Sequence, residues 1–255
     1  MEESENVAVT LRGVSVRFGA NHALEGIDLV LRQGERVALA GPSGAGKTTL
    51  LSLLNGSLSP TTGTVEVLGG DLSRLRPRDL RRVQGRVGTV HQHFDLVGPL
   101  RVVHNVNAGR LPAWSLPKAM WSLVSPQEAS GAEAALARVG IAEKLYERTD
   151  RLSGGQQQRV AVARALVQQP EILLADEPIA SLDPGRSLEV MDLLRRLSDE
   201  TGMTLVVSLH ALAYARSHCQ RIVGMRGGRI VFDAATAAVT EAMVASLYRL
   251  EDAEV

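Results

Sequence analysis

The sequence is poor in cysteine and in aromatic residues, and it carries no net charge. One cysteine, Cys219, is present among 255 residues, so no internal disulfide can form. Basic and acidic side chains number 28 each, which leaves no global field to recruit nucleic acid or anionic lipid. Any partner must therefore be recognised locally, and we expect no nucleic-acid partner.

Long apolar runs are also missing from the sequence. No uninterrupted stretch approaches the roughly 20 residues that a bilayer-spanning helix needs. The chain does not open on a charged leader followed by an apolar stretch and a cleavage site. We therefore expect a cytoplasmic location, with a different chain spanning the bilayer if the protein works at a membrane.

One segment is rich in charge of a single sign. Six arginines lie within residues 74–86, a density that could indicate contact with a phosphate backbone. No aromatic residues interleave with them, and Asp71 and Asp79 offset their charge. We therefore interpret this segment as the solvated face of a helix.

The most informative stretch is a phosphate loop at residues 41–48, with two glycines separated by four residues and followed by Lys-Thr. An apolar run at residues 35–40 precedes it, and a leucine-rich run at helical spacing follows over residues 49–55. This context predicts a strand, the loop and a helix in succession. The predicted phosphate-binding residues are Gly41, Pro42, Ser43, Gly44, Ala45, Gly46, Lys47, Thr48 and Thr49.

Each residue type in the phosphate loop has a chemical role in binding a phosphate. Glycines can take backbone angles closed to other residues, so successive N–H groups can curl around a phosphate at a helix N-terminus. Lys47 would reach the β- and γ-phosphates of ATP, and the hydroxyl of Thr48 would bind Mg²⁺. The loop therefore predicts ATP and Mg²⁺ as cofactors.

Two kinds of strand pattern indicate an α/β fold with a mixed sheet. Alternating runs at residues 7–18, 27–31 and 65–68 predict an antiparallel β layer beside the nucleotide. Apolar runs rich in β-branched residues predict a parallel sheet that is covered on both faces. These runs lie at residues 37–40, 87–90, 172–175 and 204–208.

The remaining patterns divide the single domain, residues 1–255, into parts. Residues 97–169 lack strand signals and have helical periodicity, which predicts a helical subdomain inserted into a nucleotide-binding core of residues 7–96 and 170–233. A crossover helix is predicted over residues 188–197. A hairpin is predicted around Gly227 and Gly228, and a C-terminal helix and tail over 234–255, helical through residue 250.

A second candidate phosphate site, the Ser-Gly-Gly segment, occupies residues 152–156, Leu-Ser-Gly-Gly-Gln, ahead of a predicted helix. Ser153 can cap that helix, and Gly154 and Gly155 expose N–H groups to an anion at its N-terminus. Gln156 completes the segment. Although Ser-Gly-Gly caps are common in loops, the full five-residue string is rare by chance.

The phosphate loop, the Ser-Gly-Gly segment and residues 172–178 (Ile-Leu-Leu-Ala-Asp-Glu-Pro) occur in the order found in ATP-binding-cassette ATPases. The chain resembles that family over nearly its whole length. The resemblance implies a P-loop NTPase core that hydrolyses ATP. It also implies a head-to-tail homodimer, in which each ATP lies between one subunit's phosphate loop and the other's Ser-Gly-Gly segment.

The same resemblance implies roles for the catalytic residues. Asp176 would hold Mg²⁺, and Glu177 would be the general base that aligns the attacking water. His210, which follows the strand at residues 204–208, would contact the γ-phosphate, and Lys47 would assist catalysis. Gln92 would contact Mg²⁺ and pass the nucleotide state to a membrane partner.

Two further positions match the family with an ordinary alternative beside each. Asp183 resembles the key residue of the loop that crosses the dimer, residues 181–184, and it can at the same time cap a helix that has Pro184 in its first turn. Phe18 lies where the family places an aromatic ring on adenine, or it is a core residue at a strand end. His91 and His93 flank Gln92, and we assign them no metal.

The chain resembles one branch of the family, the phosphonate-import ATPases. The similarity rests on residues 175–184 (Ala-Asp-Glu-Pro-Ile-Ala-Ser-Leu-Asp-Pro), 96–100, 105–111 and 114–121. It implies transmembrane permease subunits, a periplasmic or lipid-anchored substrate-binding protein, and a position at the cytoplasmic face of the membrane. An importer for another solute and a lipoprotein-release or cell-division ATPase remain alternatives. Trp114 and Trp121 are either a docking site for the permease or part of the core.

Overall fold

The chain folds into two β-sheets with helices around them. The computed structural model describes residues 6–124, 128–180 and 182–248. The described strands are β1 (Val7–Phe18), β2 (Asn21–Arg32), β3 (Arg36–Ala40), β4 (Thr62–Val67), β5 (Gly70–Asp71), β6 (Val87–Val90), β7 (Ile172–Ala175), β8 (Thr204–Leu209), β9 (Arg221–Arg226) and β10 (Arg229–Ala235). The described α-helices are α1 (Lys47–Leu54), α2 (Pro77–Gln84), α3 (Val102–Asn107), α4 (Leu116–Val124), α5 (Ala129–Arg138), α6 (Gly154–Leu166), α7 (Pro184–Thr201), α8 (Leu212–His218) and α9 (Glu241–Tyr248).

The first sheet is the predicted antiparallel layer, with strand order β2-β1-β4-β5. Alternate apolar side chains of β1 and β2, such as Leu11 and Leu29, are buried in one cluster with the leucines of α1. The layer therefore packs on the helix that follows the phosphate loop. Strand β2 begins six residues before the predicted residue 27, because its first half pairs with the end of β1 at Phe18.

The second sheet has the order β10-β9-β3-β8-β7-β6 and forms the centre of the molecule. Strands β6, β7, β8, β3 and β9 run parallel, and β10 pairs antiparallel with β9 at the edge. Every residue of β7 and β8 is buried, as expected for strands covered on both faces. The prediction of a mixed sheet is therefore confirmed.

Helices α3 to α6 occupy the predicted helical region between β6 and β7. Apolar residues of α3, α5 and α6 share one continuous cluster with β7 and β8. The division into a core and a helical subdomain stays a prediction, because that cluster runs through both parts. Helix α2 has no buried residue, which agrees with the solvated helix predicted for the arginine-rich segment.

The predicted start of the C-terminal helix is wrong. Ala234 and Ala235 pair with Ile222 and Arg221 and so extend β10, and a short 3-10 helix at Thr236–Ala238 separates them from α9. Hydrogen bonds of the hairpin thus outweigh the helix propensity of alanine. The last predicted helical residues, 249–250, and the tail lie outside the described residues. In the part of the chain that is described, no helix is both long and apolar enough to cross a bilayer.

Candidate active site

The phosphate loop joins β3 to α1, as its sequence context predicts. Two of its glycines are required by close approach of other backbone segments. A Cβ atom at Gly41 would overlap the carbonyl oxygen of Met225, and one at Gly46 would lie 2.7 Å from the carbonyl oxygen of Ala23. Gly46 also has a φ of 98°, a conformation that favours glycine. The loop is therefore held between β9 and β2.

The ammonium group of Lys47 lies across the phosphate loop. Its Nζ atom donates hydrogen bonds to the carbonyl oxygens of Gly41 at 2.9 Å and Pro42 at 3.0 Å. Lys47 is only 4% exposed, and Nζ lies 3.9 Å from Oε1 of Glu177. Burial lowers the pKa of Lys47, while the carboxylates of Glu177 and Asp176 act in the opposite direction. A buried cation at this position suits an anionic ligand.

The two adjacent carboxylates follow β7 and are held by a serine on the neighbouring strand. The hydroxyl of Ser208 donates to Oδ1 of Asp176 at 2.6 Å and accepts from the backbone N–H of Glu177 at 2.8 Å. Glu177 has a φ of 47°, which is uncommon for a residue with a side chain. Sequence reasoning missed Ser208. The signal was available, since it is the one hydroxyl within the apolar run of residues 205–209.

His210 lies beside Glu177. Its Nε2 atom is 2.5 Å from Oε1 of Glu177, and the imidazole donates to this carboxylate when Nε2 carries a proton. The carbonyl oxygen of His210 accepts a hydrogen bond from the hydroxyl of Tyr248 at 3.0 Å. Helix α9 thus contacts the backbone of this histidine, a contact that no sequence motif indicated.

An open cavity of about 500 Å³ unites most of the predicted residues. Its lining consists of Phe18, Asn21, His22, Ala23, Ser43, Gly44, Ala45, Gly46, Lys47, Thr48, Thr49, Gln92 and Glu177. Phe18 is 54% exposed at the rim, so it is not the core residue that the alternative interpretation required. The cavity therefore combines an exposed aromatic ring with the buried cation and a carboxylate.

The Ser-Gly-Gly segment and Asp183 do not line this cavity. Ser153 caps α6 through a capping box with Gln156, the backbone N–H of each bonding the other's side chain. Asp183 caps α7 by accepting from the N–H of Arg186 at 3.1 Å. Both caps are exposed on the surface. The cap predicted at Asp183 is therefore present, and the neighbouring Ser181 lies outside the described residues.

Unlike Gly41, the glycines of the Ser-Gly-Gly segment face open space. A Cβ atom at Gly154 or Gly155 would meet no atom within 4 Å. Neither glycine has a positive φ. The described part of the chain thus has room for a side chain at either position.

Two other features of the sequence can be placed. His91 and His93 are exposed, and Nε2 of His91 is 3.9 Å from a carboxylate oxygen of Asp95. Among the described residues, no cluster of three His, Cys, Asp or Glu side chains has a metal-binding arrangement.

Trp121 on α4 is 61% exposed, whereas Trp114 is half-buried with the ammonium of Lys118 at 4.9 Å from its ring centre.

Comparisons with known proteins agree with this geometry. A family model described as ABC transporter matches residues 24–180. A phosphonates import ATP-binding protein, PhnC, of Anaeromyxobacter dehalogenans is 49% identical over 241 residues, which are 94% of this chain and 48% of that relative. This chain therefore spans about half the length of that relative. The protein of the same name in Pseudomonas putida is 44% identical over 248 residues, which are 97% of this chain and 92% of that relative.

A solved structure extends the comparison to three dimensions. It is a dimeric ATP-binding cassette in a post-hydrolysis state, bound to ADP and Pi. The two chains superpose with a TM-score of 0.73 at 31% sequence identity, over 89% of this chain and 98% of the other.

Proposed function

Because the chain belongs to the ABC transporter family, we propose that it is the ATP-hydrolysing subunit of an importer for a phosphonate or a related phosphorus oxyanion. The observation that carries the ATPase part is the convergence of Lys47, Asp176 and Glu177 beside the phosphate loop. The substrate class rests on the two relatives named as phosphonate importers. An ABC ATPase of another system is the alternative.

The residues of the cavity fit Mg²⁺-ATP. The phosphate loop supplies backbone N–H groups and the Lys47 ammonium to the triphosphate, and Phe18 offers its exposed ring to the adenine. The hydroxyl of Thr48, the Asp176 carboxylate and the Gln92 amide are hard oxygen donors of the type that Mg²⁺ prefers. Bound Mg²⁺ would neutralise charge on the β- and γ-phosphates.

Glu177 is the proposed general base. Ser208 fixes the backbone at Glu177, and His210 holds its Oε1 atom, so the carboxylate is oriented from two sides. From there it accepts a proton from the water that attacks the γ-phosphorus, while the bond to the β-phosphate oxygen breaks. The ammonium group of Lys47 stabilises the negative charge that develops on the oxygen between the β- and γ-phosphorus atoms.

The active site is completed by a second copy of the chain. Gly154 is exposed and Gly155 is half-buried, and the open space around both allows close approach of a phosphate to the N-terminus of α6. A head-to-tail dimer places this segment, with Asp183 near it, over the partner's ATP. The dimeric cassette bound to ADP and Pi supports this arrangement by analogy. ATP binding then closes the dimer, and hydrolysis reopens it.

The same ATPase dimer needs a membrane partner to transport anything. Trp121 is exposed on α4 of the helical region. The adjacent Met120 is exposed as well. Contiguous exposed apolar side chains mark protein contacts, so we assign this surface to a short cytoplasmic helix of the permease. The protein would then lie at the cytoplasmic face of the membrane, with a periplasmic or lipid-anchored binding protein delivering the substrate.

Reconstitution tests the substrate. The ATPase is combined in proteoliposomes with the permease and binding protein encoded beside it, and ATP hydrolysis and uptake are measured with phosphonates, phosphate, amino acids and sugars. We expect a phosphonate or another phosphorus oxyanion to stimulate both. Stimulation by an amino acid or a sugar alone would refute the proposed substrate and leave the ATPase proposal standing.

A further inference from the structure

Gln158 is a buried polar residue that the site described above does not use. It lies on α6, five residues after Ser153, and is 1% exposed. Its Nε2 atom donates a hydrogen bond of 2.5 Å to the carbonyl oxygen of Pro178. Its Oε1 atom is buried and has no hydrogen-bond partner among the described residues. Gln158 therefore makes one of the four hydrogen bonds that its amide group can make.

Folding alone does not account for a glutamine at this position. A buried acceptor without a partner opposes stability, whereas an apolar side chain of the same shape carries no such penalty. Methionine has nearly the length of glutamine and adapts to irregular spaces. A glutamine that keeps an unsatisfied oxygen in the interior is thus best explained by the bond that its nitrogen makes.

That bond joins two parts of the ATPase machinery. Pro178 directly follows Glu177, the proposed base. Helix α6 begins at the Ser-Gly-Gly segment, and Gln158 lies about 7.5 Å along the helix from its cap. A rigid helix transmits a displacement of its first turn over that distance. Any shift of α6 therefore displaces the carbonyl group of Pro178, the residue that follows Glu177.

We propose that Gln158 is a positioning residue that couples ATP bound on the partner's phosphate loop to Glu177 of its own subunit. This inference rests on the proposed composite site. When ATP draws the Ser-Gly-Gly segment toward the partner, α6 carries Pro178 with it, and the Glu177 carboxylate moves into line for attack. ATP bound at one site then changes the position of the Glu177 carboxylate at the other site.

The test is Gln158→Met in the full-length dimer, with ATP affinity, hydrolysis and thermal melting measured. We expect a Tm close to that of the wild type, because removal of the unpaired Oε1 atom offsets the loss of the donor to the buried carbonyl of Pro178. We also expect unchanged ATP affinity, a kcat lower by about fivefold or more, and a Hill coefficient for ATP that falls toward 1. Gln84→Met is the matched control, because Gln84 Nε2 also donates to a backbone carbonyl, that of Gly56 at 3.1 Å, away from the site. It should hydrolyse ATP at the wild-type rate.

A double-mutant cycle with Ser153→Ala separates coupling from a local effect. If both residues lie on one route, Gln158→Met lowers kcat much less in the Ser153→Ala background than in the wild type. Wild-type kcat and Hill coefficient in Gln158→Met, or full additivity in the cycle, would overturn the proposal. If Gln158→Met does not fold, Gln158→Leu replaces it. A wild-type chain that fails to hydrolyse ATP would instead refute the proposed function.

Discussion

Nε2 of His210 and Oε1 of Glu177 lie 2.5 Å apart although 33 positions separate them in the chain. The parallel pairing of β7 with β8 brings the two side chains together. Ala175 pairs with Val207, and Glu177 and His210 lie just beyond the ends of β7 and β8. This contact is thus a consequence of strand register. A one-residue slip of β8 would move His210 away from Glu177.

Replacement of His210 by alanine should therefore slow hydrolysis. A hydrogen bond to a charged group contributes roughly 1.5–3 kcal/mol, so we expect kcat to fall by about 10- to 150-fold with ATP affinity nearly unchanged. Steady-state hydrolysis and equilibrium binding of a fluorescent ATP analogue measure the two quantities. A His210→Ala variant with normal kcat would show that this contact plays no part in turnover.

Replacement of Glu177 by glutamine should separate binding from chemistry. The variant keeps the shape of the side chain and loses the proton acceptor, so we expect it to bind Mg²⁺-ATP while kcat falls by about 10²- to 10⁴-fold. Lys47→Ala provides the contrast, since it removes a charged phosphate contact and should weaken ATP binding by roughly 10- to 150-fold. Near-normal hydrolysis by Glu177→Gln would exclude Glu177 as the base.

Trp121→Ala should uncouple transport from hydrolysis. Trp121 is exposed and lies outside the ATP cavity, so its removal should leave the hydrolysis rate and Tm of the isolated ATPase unchanged. Uptake in proteoliposomes should fall at least about tenfold if the ring contributes as an interface hot spot. Tyr146→Ala, which removes another exposed aromatic side chain, is the control. A large loss of Tm in Trp121→Ala would support the alternative that this ring belongs to the core.

The single cysteine should be unreactive in the folded protein. Burial raises the pKa of the Cys219 thiol to about 12, so at pH 8 almost none of it is the reactive thiolate. We expect alkylation by iodoacetamide at pH 8 to be at least about 10³-fold slower than in the urea-unfolded chain. Mass spectrometry follows the reaction. Equal rates in the folded and unfolded states would show that Cys219 is accessible.

The sequence predicts those parts of this structure that depend on local patterns. Residues 87–90 and 172–175 form strands with the predicted bounds, because continuous apolar runs in a parallel sheet end where polar residues begin. Helix α8 was not predicted, since its seven residues carry too few turns for a periodic signal. Local patterns thus identify the sheet and the phosphate loop.

Local sequence patterns do not predict contacts between residues that are distant in the chain. The hydroxyl of Ser208, the amide of Gln158 and the hydroxyl of Tyr248 act through hydrogen bonds to residues 20 or more positions away. A lone serine, glutamine or tyrosine is compatible with many environments in a folded protein. The packing of β8, α6 and α9 around the active site determines the environment that each of these side chains has. The supporting residues of the site therefore emerge only from the fold.

The central claim is that each ATP is hydrolysed between two subunits, and mixed dimers test it most directly. In one arrangement a single subunit carries both Lys47→Ala and Ser153→Arg, and in the other each subunit carries one change. Head-to-tail sites predict about half of the wild-type rate or less when the changes are separate, because one site stays intact. They predict a rate at least about tenfold lower when both changes are in one subunit, because both sites are damaged. Equal rates in the two arrangements would contradict the account.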